Sequence, residues 1–126
     1  MQTAPHTAPG YTCFNLPGAL GFLGDDQGVR DLLPALCTAL GKDVPEIADL
    51  LAQGRAVDAT ARLHSLKGFV PVFCFAPLVE ELTRVERLSR SGASAEVIAS
   101  YAALAPALQR LGEEAAHYLA QGPLKP

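Results

Sequence analysis

Three residues in one short stretch could do chemistry together: His64, Lys67 and Gly68, within Leu63-His64-Ser65-Leu66-Lys67-Gly68. Each helical residue advances by about 100°, so offsets of three, four and seven return to one side. On a helix, Leu63, Leu66, Val70 and Phe73 then face a core, while His64, Lys67, Gly68 and Pro71 share the wet side. A neutral imidazole is nucleophilic near neutral pH, the unperturbed pKa being about 6.5. It can attack an aspartyl phosphate and hold the phosphoryl group as a phosphoramidate. A lysine one turn away supplies a mobile positive charge that offsets phosphate charge. The glycine leaves a gap through which another protein's active site could come down over the ring. Glycine inside a helix costs about 1 kcal/mol relative to alanine, so this one calls for a reason.

Other candidates carry less. Ser65 adjoins His64 but lacks a Gly-x-Ser-x-Gly elbow, and adjacent helical residues do not face each other. Gly18-x-x-Gly21-x-x-Gly24 has no preceding strand and no lysine-serine pair, so it does not make a phosphate cradle. His6 falls in a Pro/Gly-containing lead-in, and His117 falls near the end of the last helix, where a cation suits the dipole. The three histidines share no ligand spacing, so neither a metal nor a cofactor is expected on this chain. Cys13, Cys37 and Cys74 are far apart and odd in number, without a CxxC pair. Reduced thiols are expected, with Cys74 packed rather than reactive.

The elements that would position these residues are helical throughout. No segment alternates with period two. Residues 1–15 are expected to be a disordered lead-in, residues 16–121 the folded domain and residues 122–126 a tail. Leu16 to Leu23 is a short docking turn or helix. Asp25 and Asp26 open a helix carrying Val29, Leu32, Leu33, Leu36 and Leu40, bent at Pro34 and stopped at Gly41. Asp43 caps a second helix, with Pro45 in its first turn and Gly54 at its end. A long third helix is predicted from Ala56 to Phe75. Pro77 opens a fourth, with Leu78, Leu82, Val85 and Leu88 inward and Gly92 closing it. Ser94 caps a fifth, with Val97, Tyr101, Leu104, Leu108, Leu111 and Leu119 inward and a kink at Pro106. Short connections imply an all-α domain, an antiparallel four-helix bundle with an additional N-terminal helix against it.

Composition agrees with such a core. Hydrophobic residues make up 49% of 126 residues, aromatics only 6%, and tryptophan is absent, so Leu, Ala and Val must fill the interior. The net charge of -3 pulls the chain toward neither nucleic acid nor anionic lipid. No apolar run approaches the roughly 18 residues of a membrane span, and the first ten residues do not resemble a signal peptide. A cytoplasmic monomer is expected.

His-x-Leu-Lys-Gly resembles the signature of the histidine-containing phosphotransfer (Hpt) domains of multistep two-component phosphorelays. The likeness extends to Leu78, Leu82, Val85 and Glu86 downstream, and to Gly24-Asp25-Asp26, Val29, Leu32-Leu33 and Leu50-Leu51 upstream. The resemblance implies that His64 accepts a phosphoryl group from a receiver-domain aspartate and passes it to another receiver. It makes Lys67 the charge partner and Gly68 the clearance residue. The implied partners are response-regulator receivers and a hybrid sensor histidine kinase, with Mg2+ carried by the receiver. The domain would be a carrier without kinase activity of its own. Where such domains have small polar residues and a second glycine, this chain has Phe69 to Phe75, with Cys74 at the second-glycine position. A kink is expected at Pro71. A regular helix would put Phe75 about 20° from His64, and Pro71 and Phe75 are then expected to form an apolar docking rim. Arg84, Glu86, Arg87 and Arg90 crowd one part of the fourth helix, mostly as a solvated face. Arg84 and Arg87 are the candidates for a lesser part in docking. The alternative is a degenerate module that binds a receiver without phosphotransfer, which the crowded stretch would favour if it covered His64. A third possibility is a helical bundle with no receiver partner at all.

Overall fold

The computed structural model describes residues 10–122. His6 and the remainder of the lead-in to residue 9, and residues 123–126 of the tail, lie outside the described residues. The described chain is all-helical: α1 (Leu16–Leu23), α2 (Asp26–Ala52), α3 (Ala56–Phe69), α4 (Ala76–Ser89) and α5 (Ala95–Ala120), with a 3-10 turn at Val70–Val72 between α3 and α4. Helix α2 packs on α3 and α5, α4 packs on α3 and α5, and α1 lies on α2. A single core of Leu, Val, Ile and Ala side chains runs between them, with Phe14, Phe73, Tyr101 and Tyr118 as its aromatic members. No described helix is long and apolar enough to cross a membrane.

The helix starts follow local capping chemistry. The Asn15, Asp25 and Ser94 side chains accept from the amides of Gly18, Gly28 and Val97, satisfying donors that a helix start leaves open. Gly24 (φ 99°) and Gly54 (φ 75°) take the left-handed backbone that ends α1 and α2.

Three expectations are corrected. First, the two helices divided at Gly41 and Asp43 are one continuous α2, with Pro34, Gly41 and Pro45 inside it. Asp43 is not a cap; its carboxylate accepts from Arg62 of α3 at 3.2 Å, beside the Glu46–Arg62 pair at 2.7 Å. The apolar residues Val29, Leu33, Leu36, Leu40, Val44, Ile47 and Leu51 hold one helical phase across the break, and all are buried. Leu32, placed inward by sequence, is exposed. Second, α3 ends at Phe69, not Phe75. Phe14 and Cys74 form an isolated antiparallel bridge: Asn15 N–H donates to the Phe73 carbonyl (2.8 Å) and Phe75 N–H to the Cys13 carbonyl (3.3 Å). That pairing, and the amide that Pro71 lacks, draw the chain out of the helix. Third, residues 10–15 are not a loose lead-in. Phe14 is 1% exposed, and the Glu114 carboxylate accepts from the amides of Thr12, Cys13 and Phe14 and from the Thr12 hydroxyl.

Candidate functional site

Helices α3 and α4 meet so that the wet side of α3 rests against a buried carboxylate from α4. The His64 side chain is 69% exposed, and its Nδ1 lies 3.9 Å from Glu86 Oε2. That is an electrostatic contact rather than a hydrogen bond. Lys67 Nζ donates to Glu86 Oε1 at 3.3 Å. Arg90 donates twice to Glu86 Oε2, from Nε at 2.9 Å and Nη2 at 2.6 Å. Glu86 itself is 2% exposed. Burial alone would push its carboxyl upward; the hydrogen bonds and charges of Arg90 and Lys67 outweigh that and hold it below the usual carboxylate range. One carboxylate shared between two cations leaves a surplus of positive charge under the imidazole, which suits an incoming phosphoryl group.

Gly68 follows on the same exposed side. A Cβ added there would meet no atom within 4 Å. The space above the glycine is open, so nothing within the described chain requires its missing side chain. The bulky residues that follow do not cover His64. Val70, Phe73 and Cys74 turn into the core, and Phe69 and Val72 are half-buried against it.

The remaining predicted residues scatter. Pro71 lines a depression with Asn15, Gly18, Phe22 and Val72. Phe75 lines another, with Cys13, Pro77, Leu78 and Leu104. The helical phase that set Phe75 close to His64 lapses because α3 stops six residues before it, and Pro71 and Phe75 line separate depressions. Arg84 is taken up by Glu81, in two hydrogen bonds of 3.0 and 3.1 Å, and Arg87 is exposed at the end of α4. Neither bonds to Glu86 among the described residues. His117, on α5, has its Nδ1 within hydrogen-bond distance (2.8 Å) of the Tyr11 hydroxyl. Cys74 is buried, and burial pushes its thiol up to about 12, with nearby Cys13 adding to the shift, so it is no thiolate nucleophile. Among the described residues no group of His, Cys, Asp and Glu could hold a metal ion.

Glu86 and Arg90 are the functional candidates that sequence reading passed over as site residues. The signal was present. Glu86 stands four residues after Leu82 and three before Ser89, on the inner edge of the α4 stripe, and a glutamate followed by a cation four residues later is a favourable helical pair. An acidic residue on an apolar stripe must find partners, and the neighbouring helix provides Lys67.

No protein-family model, curated protein or solved structure matches this chain.

Proposed function

We propose that the protein is a phosphorelay intermediate in which His64 carries the phosphoryl group. The observation that carries this reading is the exposed imidazole standing over the Lys67–Glu86–Arg90 cluster with the bare surface of Gly68 beside it. In this reading α2 to α5 form an antiparallel four-helix bundle with α1 laid against it, an arrangement supported by the ring of contacts α2–α3–α4–α5 around one core.

The step balances without a cofactor on this chain. Glu86 Oε2, 3.9 Å from Nδ1, favours a proton on that nitrogen by charge rather than by a hydrogen bond, which leaves the lone pair on Nε2. Nε2 attacks the phosphorus of a receiver's aspartyl phosphate. The P–N bond forms as the acyl P–O bond breaks, and the receiver keeps its aspartate carboxylate and its Mg2+. The reverse step on a second receiver regenerates the imidazole. Lys67 and Arg90 offset the charge that arrives, and catalysis is positioning plus electrostatics, as in other phosphoryl transfers. Gly68 and, on the α1 side, Pro71 are the docking surface.

Incubation with a receiver phosphorylated on its aspartate, in Mg2+, is expected to label the wild type and leave His64→Gln unlabelled. Equal labelling of the two would remove His64 from the mechanism. Receiver binding without label on the wild type would leave only a docking module.

A further inference from the structure

We propose that a hydroxyl pair, Thr60 on α3 and Ser89 on α4, sets the register of the two helices and thereby positions Glu86 beneath His64; the claim rests on the carrier reading of His64 given above. Ser89 is 1% exposed, and its Oγ lies 2.7 Å from Thr60 Oγ1. Ser89 Oγ also lies 2.7 Å from the Glu86 carbonyl, and Thr60 Oγ1 lies 2.8 Å from the Ala56 carbonyl. Two hydroxyl protons therefore face three contacts. If both served carbonyls, two oxygens would meet at 2.7 Å with no proton between them.

The end of α4 decides the order. The Arg90 amide turns to the carbonyls of Arg87 and Leu88, not to that of Glu86. The Glu86 carbonyl is among those a helix end leaves open, and the Ser89 hydroxyl serves it. Ser89 then donates to Glu86, and Thr60 shares its proton between the Ala56 carbonyl of its own helix and the Ser89 oxygen across the interface. The result is one directed chain from α3 to the backbone of the residue that holds the site's carboxylate. Chains of this kind polarise one another in a dry interior.

The pair stands in register with the site. Thr60 precedes His64 by four residues and Ser89 follows Glu86 by three, so both pairs lie on the same two facing stripes. A slip of one helix by a single residue moves it about 1.5 Å. A shift of that size displaces the Glu86 carboxylate relative to the His64 ring and changes the geometry of the Lys67–Glu86 hydrogen bond, already 3.3 Å. The hydrocarbon residues of this interface, Leu63, Leu66, Leu82 and Val85, tolerate sliding better than a directional bond does.

The test reads the two ring nitrogens of His64 in the full chain by 15N NMR, without phosphate or receiver. Wild type is expected to show an excess of the Nδ1-protonated tautomer. Thr60→Val, which removes the hydroxyl at constant shape on a half-buried residue, is expected to lose that excess, as is Ser89→Ala. Thr60→Ser, which keeps the hydroxyl, is expected to retain it. A merely structural hydroxyl would lower stability and leave the tautomer ratio of folded molecules unchanged. A folded Thr60→Val with the wild-type ratio, or a wild type lacking the excess, overturns the proposal. Receiver labelling is scored separately: a chain that takes no label yet shows the tautomer loss forfeits the carrier role and keeps the positioning claim.

Discussion

At Gly68 an added methyl group would meet open space, so the fold itself does not ask for glycine there. The position lies near the end of α3, where a better helix former would gain up to about 1 kcal/mol. Gly68→Gln is therefore expected to unfold at an equal or higher urea concentration than wild type while losing most of its labelling by a phosphorylated receiver. Loss of stability, or unimpaired labelling, would show that the clearance account of Gly68 is wrong. His64, Lys67 and Gly68 were legible because their side-sharing depends only on three- and four-residue offsets within one helix. Glu86 and Arg90 were harder. Their bond to each other is local, but the contact with Lys67 joins residues nineteen apart and depends on how two helices dock. Phe75 failed for the opposite reason: its expected phase was a local extrapolation through Pro71, and a pairing with Cys13 some sixty residues upstream overrode it.

Helix α2 shows what such overrides cost at the scale of an element. Pro34 and Pro45 each remove a helical amide, and Gly41 sits between them, so local propensity favours a break. The buried stripe from Val29 to Leu51 keeps one phase across all three, and tertiary packing on α3 and α5 holds the helix together. The prolines are tolerated because they lie on exposed positions, where the carbonyls they leave unpaired can reach water; exposed Pro106 in α5 is the same case. Pro45→Ala is thus expected to restore a bond to the Gly41 carbonyl and raise stability by up to about 3 kcal/mol, less the entropy that proline withdraws from the unfolded chain. Urea unfolding measures the gain. A destabilised Pro45→Ala protein would mean that the bend itself is needed to wrap α2 on its neighbours. Element type was therefore readable from periodicity, and the boundary at Gly41 was not, because the apolar phase and the breakers gave opposite answers and packing decided between them.

Three buried or half-buried carboxylates tie the molecule together across distant parts of the chain, and they give it a common acid response. Asp26 bonds the Tyr118 hydroxyl and Arg30, joining the start of α2 to the end of α5. Glu86 joins α3 to α4. Glu114 clamps residues 12–14 onto α5, and the same segment pairs with the turn that follows α3, so it links the end of the His64 helix to the far side of the core. In each, burial raises the carboxyl and hydrogen-bond donors more than reverse it, so all three titrate below their ordinary values. A group held below its unfolded value contributes stability that is present above that value and is lost as pH falls through the folded one. Stability should therefore change little down to about pH 5 and fall steeply below about pH 4, the range of unperturbed Asp and Glu. Glu114→Gln keeps an acceptor but not the charge. It is expected to lower stability at neutral pH by about 2 kcal/mol, the scale of a lost charge-assisted hydrogen bond, and to reduce the acid slope. Hydrogen exchange at the amides of Thr12, Cys13 and Phe14 should quicken in the same variant. A Glu114→Gln protein with the wild-type slope and unchanged exchange at those amides would mean that the segment is held by the burial of Phe14 alone, and the carboxylate clamp would lose its place in the fold.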